Sequence, residues 1–98
     1  MQDQQTIAIK GIKEGLLVTL DAGEEWQTLL AELAARIDRQ STFFAGAKLT
    51  VDVGARPATK HELMSLKAML ERRGLSLWSV LSDSDSALEA AQALDLKT

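Results

Sequence analysis

The chain contains few side chains of the kinds that carry out catalysis. It has one histidine, His61, and no cysteine among its 98 residues. An imidazole beside Glu62 could act as a general base or bind a metal ion, but a transition-metal site needs further nitrogen or sulfur ligands. The sequence therefore favours a solvated His61 near the start of a helix. We predict a protein that is not an enzyme and has no catalytic residue, cofactor or metal ion.

Phosphate and calcium sites are not supported by the motifs. No G-x-G-x-x-G or P-loop pattern occurs, so no phosphate cradle is indicated. The run from Ser82 to Ser86 is rich in serine and aspartate but lacks the glycine and the closing glutamate of an EF-hand. We interpret this run as a loop that leads into a helix, and a regulatory phosphate on it is the alternative.

The first candidate binding stretch is the end of the first predicted strand and the turn after it, and consists of Lys10, Gly11, Ile12 and Lys13. It offers two ammonium groups and one apolar side chain on a connection that Gly11 makes flexible. This combination suits an acidic partner surface or peptide. An ordinary hairpin turn is the alternative interpretation.

The second candidate binding stretch lies at the end of the first predicted helix and in the adjoining loop. Arg36 and Arg39 precede two adjacent aromatics, Phe43 and Phe44. We expect one phenylalanine to fill the core and the other to remain partly exposed beside the arginines, as aromatic residues at interfaces do. Burial of both phenylalanines is the alternative.

The composition is that of one ordinary domain, and we assign residues 1–98 to it. The chain is 46% hydrophobic and 26% charged, with a net charge of -3, whereas a general nucleic-acid binder needs a basic surface. No apolar run approaches the roughly 20 residues that cross a bilayer, and the polar N-terminus lacks the order of a signal peptide. We predict a cytoplasmic protein that binds neither nucleic acid nor membrane directly.

Alternating apolar residues predict four strands, and helical spacing predicts three helices between and after them. The predicted strands are Thr6–Lys10, Leu16–Leu20, Lys48–Val53 and Leu75–Leu81. The first two form an antiparallel hairpin with a five-residue connection. The last is apolar on both faces, which predicts a central position or cover on both sides. The order β-β-α-β-α-β-α predicts an α/β (α+β) fold with a mixed four-stranded sheet and helices packed on it.

The predicted helices are marked by apolar stripes and by capping signals. The first stripe comprises Trp26, Leu29, Leu30, Leu33, Ala34 and Ile37. Capping-box spacing occurs at Asp21 to Glu24, Thr59 to Glu62 and Ser86 to Glu89. Gly74 can end the second helix in a left-handed conformation. We interpret both tryptophans, Trp26 and Trp78, as core residues and not as stacking platforms for a ligand.

Three stretches of sequence carry a family resemblance. They are I-K-G followed by G-L-L-V-T-L (Ile9–Gly11 and Gly15–Leu20), F-F-A-G-A-K-L-T-V-D-V (Phe43–Val53) and R-G-L-S-L-W-S-V (Arg73–Val80). Each is short, but together their order and spacing resemble the N-terminal domains of the MinC family of septum-site inhibitors. The resemblance covers nearly the whole chain.

The resemblance implies a fold like that of the anti-anti-sigma factor SpoIIAA. It also implies a cell-division inhibitor that binds the division tubulin FtsZ and antagonises its assembly, so that misplaced septa are prevented. On family grounds, contacts map to Lys10, Gly11, Arg36 and Phe43. With the rest of the two binding stretches, the predicted FtsZ-binding set is Lys10, Gly11, Ile12, Lys13, Arg36, Arg39 and Phe43.

One departure from the family concerns a second domain. Members normally continue into a C-terminal β-helical domain that dimerises and binds the membrane-associated ATPase MinD, and nothing in this sequence resembles it. We therefore expect MinD binding only through that missing domain and at most a weak homodimer. The alternative function is a SpoIIAA-like interaction domain switched by phosphorylation, although Thr59 and Ser86 are predicted to serve as helix caps instead. A small-molecule or enzymatic domain would require a concave site with convergent polar groups.

Overall fold

The computed structural model of the protein describes residues 7–21 and 23–98. The predicted element order is confirmed, with one short helix added between the first long helix and the third strand. The strands are β1 Ile7–Ile12, β2 Gly15–Leu20, β3 Lys48–Gly54 and β4 Ser76–Ser82. The helices are α1 Trp26–Arg39, α2 Ser41–Phe44, α3 Lys60–Glu71 and α4 Asp85–Ala93. Thr6, which was predicted to open the first strand, lies outside the described residues.

The four strands form one mixed sheet in the order β1-β2-β3-β4. β1 runs antiparallel to β2, whereas β2 with β3 and β3 with β4 are parallel pairs. A parallel pair needs a crossover connection, and α1 and α3 lie in the two crossovers here. The predicted mixed α/β sheet is therefore confirmed. The likeness to SpoIIAA remains a prediction.

The helices cover one face of this sheet. α3 contacts both α1 and α4, so the three long helices form a single layer. The sheet residues buried beneath them are Ile7, Leu16, Val18, Leu20, Leu49, Val51, Val53, Leu77 and Val80. The buried side chains of α1 and α3 are Trp26, Leu29, Leu33, Ile37, Leu63, Leu66, Met69 and Leu70. The predicted stripe of the first helix thus faces the core, with Leu30 and Ala34 partly buried at its margin, and Trp26 is a core residue as predicted.

The connection between β1 and β2 is shorter than predicted. Ile12 pairs with Gly15, so the turn consists of the two residues Lys13 and Glu14. The predicted five-residue connection is wrong, because Gly11 and Ile12 continue the strand. The hairpin itself and its antiparallel pairing are confirmed.

The start of β2 requires glycine. Gly15 has a φ of 142°, a backbone conformation that residues with side chains rarely adopt. A Cβ at this position would also collide with the backbone carbonyl of Lys48 on β3. Gly15 therefore allows the hairpin to lie close against its parallel neighbour.

The capping signals at α3 are confirmed at both ends. Thr59 Oγ1 accepts from the backbone N–H of Glu62 at 3.1 Å, and the Glu62 carboxylate accepts from the Thr59 N–H at 3.0 Å. At the other end Gly74 has a φ of 80°, and Leu75 N–H donates to the carbonyl of Leu70 at 3.0 Å. This backbone bond and the left-handed glycine together form a Schellman-type termination.

The other two predicted capping boxes are wrong. α1 begins after Glu25, and the Asp21 carboxylate instead accepts from the N–H of Gly23 at 3.1 Å. α4 is capped by Ser84, whose Oγ accepts from the N–H of Ala87 at 3.4 Å. Ser86 lies inside the first turn, since a serine two residues earlier already occupies the capping position.

The prediction that the last strand is central or covered on both sides is also wrong. β4 is the end strand of the sheet, and its outer edge is bridged at one point by Lys97. Val80 N–H donates to the Lys97 carbonyl at 2.8 Å, and Lys97 N–H donates to the Trp78 carbonyl at 3.2 Å. Trp78 is 37% exposed and Leu81 is 42% exposed, so Trp78 is not a core residue.

A bulge in β4 accounts for the exposure of Trp78. Leu77 pairs with Leu49 of β3, whereas Ser79 pairs with the next residue, Thr50. Trp78 is therefore an extra residue in β4 between the pairs Leu49–Leu77 and Thr50–Ser79. After it, the side chains of β4 alternate between the two faces with the order shifted by one residue. The bulge allows Leu77 and Val80, three positions apart, to point into the same core.

Candidate partner-binding surface

The sheet face opposite the helices combines apolar and ammonium side chains, and we call it the open face. Its apolar members are Ala8, Ile12, Leu17, Trp78 and Leu81, and its ammonium groups belong to Lys10, Lys48 and Lys97. Thr50 and Ser79 lie at its centre and are buried. Asp52 is an acid on this face, and its carboxylate accepts from the Gly54 N–H at 2.9 Å. Glu14 also lines the hollow beside Trp78, so the three ammonium groups of the open face stand against the carboxylates of Asp52 and Glu14.

Trp78 lies between two of these ammonium groups. Lys48 Nζ is 4.4 Å from the ring centroid and Lys97 Nζ is 5.7 Å from it. Both distances suit cation–π attraction, which holds the ring in place while part of it stays in solvent. Ile12 and Leu81 line the same hollow beside the ring. An indole held in this way, with apolar neighbours and a basic rim, has the features of an interface anchor.

The first predicted binding stretch is divided between the two sides of β1. Lys10 and Ile12 belong to the strand and point to the open face, while Gly11 between them lies on the helix side. Lys13 lies in the turn. Lys10 belongs to the strand as predicted, but the expectation that Gly11 and Ile12 lie on a flexible loop is wrong, because both pair with β2. The rigid strand therefore fixes the direction of each side chain.

The second predicted stretch lies on the helix side. Arg36 Nη2 donates to the backbone carbonyl of Ile7 at 3.4 Å, which brings this side chain to the edge of β1. Arg39 is exposed at the last position of α1. Phe43 in α2 is 58% exposed, whereas Phe44 is buried and meets it edge to face at 5.1 Å. The expectation of one buried and one exposed phenylalanine is confirmed.

The predicted residues do not form one patch on one face. Lys10 and Ile12 lie on the open face, and Arg36 reaches the edge of β1 at the Ile7 carbonyl. Arg39 and Phe43 lie on the helix side, at the end of α1 and in α2. Sequence reasoning missed Lys48, Trp78 and Lys97, because they come from three separate segments that meet only in the fold. The sequence contained one signal for Trp78. The apolar residues at positions 77, 78, 80 and 81 do not alternate as a regular strand requires, which indicates a bulge between them.

His61 and the serines between residues 82 and 86 are not grouped with other reactive side chains in the part of the chain that the structure describes. His61 is exposed in the first turn of α3. Ser82 Oγ donates to the Gly54 carbonyl at 3.0 Å, and the hydroxyls of Ser84 and Ser86 are 3.0 Å apart. Within residues 7–21 and 23–98, no three histidine, cysteine, aspartate or glutamate side chains are grouped to hold a metal ion. None of the helices in these ranges has the length and apolar character needed to span a membrane.

Comparison with known proteins identifies relatives over most of the chain. Among curated proteins named probable septum site-determining protein MinC, that of Thermoanaerobacter sp. (strain X514) is 33% identical over 75 residues. The Symbiobacterium thermophilum protein is 33% identical over 87 residues, and that of Moorella thermoacetica is 36% identical over 72 residues. These alignments cover 76%, 88% and 74% of this chain.

The similarity is confined to one part of the longer relatives. The chain spans 35%, 38% and 33% of the length of these three proteins. No solved structure matches the chain. The family model described as the septum formation inhibitor MinC, N-terminal domain, matches residues 7–77. The chain therefore belongs to the family of MinC N-terminal domains.

Proposed function

We propose that this domain inhibits cell division by binding FtsZ and antagonising the assembly of its filaments, so that septa do not form at the wrong place. Membership of a septum-inhibitor family supports the role in division. The single observation that carries the binding role is the open face, where a half-exposed tryptophan and other apolar side chains are surrounded by ammonium groups. The function is recognition of a protein and not catalysis.

The chemistry of the open face favours a partner surface that is acidic and partly apolar. Exposed apolar side chains gain free energy when a partner removes them from water. Lysines at the rim attract a negatively charged partner and speed its encounter with the domain. The chain as a whole has a net charge of -3, so this attraction is local to the open face and the β1 edge.

We assign the FtsZ contact to the edge of β1 and the surfaces on either side of it. The contact residues proposed are Lys10, Gly11, Ile12, Lys13, Arg36, Arg39 and Phe43. The open face adjoins this edge through Lys10 and Ile12, and its anchor Trp78 extends the contact across the sheet. MinD recruitment is assigned to a separate C-terminal domain. This domain acts in the cytoplasm without binding nucleic acid or membrane, and its own self-association is weak.

Inhibition follows from a coupling between two equilibria. If a bound domain weakens the affinity of one FtsZ subunit for the next, FtsZ assembly must weaken the affinity for the domain by the same factor. The domain then shifts FtsZ from filaments towards free subunits, and the shift grows with the concentration of the domain. No chemical step on FtsZ or its nucleotide is required.

The test is sedimentation of FtsZ from the same species with GTP, in the presence of increasing amounts of the domain. We expect the parent to lower the pelleted fraction. Gly11→Asp should lose most of this activity, because it adds a carboxylate where an acidic partner approaches. A Cβ at Gly11 meets no atom within 4 Å, so the variant should remain folded. Phe43→Ala should lose less, since it removes contact area and no charge.

Gly23→Asp is the matched control. It introduces the same charge at an exposed glycine in the loop before α1, outside the four strands, where an added Cβ would meet only Asp21 Oδ1 at 3.8 Å. It should inhibit assembly as well as the parent does. A parent that leaves the pelleted fraction of its own FtsZ unchanged at excess would overturn the proposed function. Equal loss in Gly23→Asp and Gly11→Asp would overturn the proposed surface.

A further inference from the structure

The outer edge of β1 has backbone groups directed away from the sheet. β1 pairs with β2 alone, and Ile12 and Gly15 flank the two-residue turn. In a hairpin of this kind the flanking pair exchanges hydrogen bonds, and pairs alternate along the ladder. Ala8, Lys10 and Ile12 therefore bond to β2, while the N–H and C=O groups of Ile7, Ile9 and Gly11 point outward.

One outward group already accepts a hydrogen bond. The Ile7 carbonyl receives the bond from Arg36 at 3.4 Å, which agrees with the direction expected from the register. No other described residue pairs with this edge of the sheet. Ile9 and Gly11 thus present two donors and two acceptors in a row with the spacing of a strand. An edge of this kind is a template for another extended segment.

The surroundings of Gly11 leave room for such a segment. Gly11 is exposed, and a Cβ built on it would meet no atom within 4 Å. Space therefore exists on the helix side of β1 as well as on the open face. Lys10, Lys13 and Arg36 place three positive charges near this edge, against the carboxylate of Glu14 in the turn. An extended segment with acidic side chains is complementary to it.

We infer that the partner contributes an extended acidic segment that pairs with Ile9 and Gly11 as an additional strand of the sheet. This inference rests on the proposed function and specifies how the contact is made. Side chains of an added strand lie alternately on both faces of the sheet. The mode of binding therefore explains why candidate residues lie on the two sides of β1.

Two substitutions at one position test the added strand. Proline at Gly11 removes the outward N–H, while alanine keeps it, and both add a Cβ into the same empty space. Affinities for unassembled FtsZ bound to GDP are measured for both variants and the parent. We expect Gly11→Pro to bind about five- to tenfold more weakly than Gly11→Ala, the loss associated with one hydrogen bond. Equal affinities of the two variants would overturn strand addition.

Amide hydrogen exchange of the parent provides a measurement that needs no variant. In the free domain the Ile9 and Gly11 amides should exchange quickly, because they point outward, while those of Ala8 and Lys10 are protected by β2. Saturation with FtsZ should slow exchange at Ile9 and Gly11 by more than about tenfold. Fast exchange at both positions in the complex would overturn the inference but leave the proposed function intact. A parent that does not bind FtsZ would overturn both.

Discussion

The helix-covered face and the open face are built from the same four strands but surround their apolar side chains differently. Val18, Leu49 and Val51 on the covered face have no exposed surface. Trp78 and Leu81 on the open face remain 37% and 42% exposed. Side chains of similar chemistry therefore stabilise the fold on one face and remain free to meet a partner on the other. The comparison predicts that substitutions on the two faces affect different measurements.

The largest expected effect is on stability, from the covered face. Leu66→Ala removes a fully buried side chain of α3 and should lower the free energy of unfolding by about 2–5 kcal/mol, measured by urea denaturation. Leu81→Ala makes the same change on the open face and should cost less than about 1 kcal/mol, because the side chain keeps much of its contact with water. Similar losses in the two variants would contradict the division between the faces.

The next largest effect should appear in binding. Trp78→Ala removes the anchor of the open face and should weaken FtsZ binding by about 2 kcal/mol, roughly 30-fold. Trp78→Phe keeps an aromatic ring between Lys48 and Lys97 and should lose less. Titration calorimetry measures the affinity, and thermal unfolding confirms that both variants are folded. Unchanged affinity in Trp78→Ala would show that the partner does not contact the open face.

A smaller effect on stability should come from the caps of the helices that cover the sheet. Thr59→Ala removes the side-chain cap of α3 and should lower the free energy of unfolding by about 1 kcal/mol without changing the affinity for FtsZ. Ser84→Ala should behave in the same way at α4. Ser86→Ala is the control, because the N-cap of α4 is Ser84, and it should change stability little. A larger loss in Ser86→Ala than in Ser84→Ala would contradict the assignment of that cap.

The smallest expected effect is on the rate of association, and it distinguishes a charge on the open face from a charge on the helix side. Lys10→Gln should slow association with FtsZ severalfold and reduce its dependence on salt, because a rim charge steers encounter more than it holds the complex. Asp38→Asn breaks the exposed 3.0 Å ion pair with Arg73 on the helix side, and should change stability by less than about 1 kcal/mol. Stopped-flow measurements across salt concentrations should show no change in association for Asp38→Asn. Equal slowing in both variants would indicate only a general charge effect.

Patterns within a short stretch of sequence were sufficient to predict where a strand or helix forms and which of its faces is buried. Alternation at Leu49, Val51 and Val53 predicted β3 and its buried face, because the side chains of a strand point to opposite faces in turn. The spacing of Thr59 and Glu62 predicted the start of α3, because a capping box closes within one turn. These features depend on a few adjacent residues and therefore appear directly in the sequence.

The features that sequence reasoning missed depend on pairing between distant segments. Apolar residues on both faces of the last strand predicted a central position or cover on both sides. In the fold, β4 is an end strand, covered by helices on one face and bridged by Lys97 at its outer edge. Ser84 and Ser86 can both cap a helix, and the local path of the chain selects Ser84. The open face is likewise assembled from β3, β4 and the residues after α4, so no single stretch of sequence reveals it.

The bridge from Lys97 also affects how far the sheet can grow. On the outer edge of β4, Lys97 occupies the Trp78 carbonyl and the Val80 N–H, so another strand must displace it to pair there. Within the described residues, β1 is the edge that remains open. If two copies paired through their β1 strands, the outer strands of the combined sheet would be the two β4 strands, each bridged by Lys97. No third copy could then add to the sheet without displacing Lys97. The fold thus permits one strand to be added while opposing the open-ended stacking that leads to fibres.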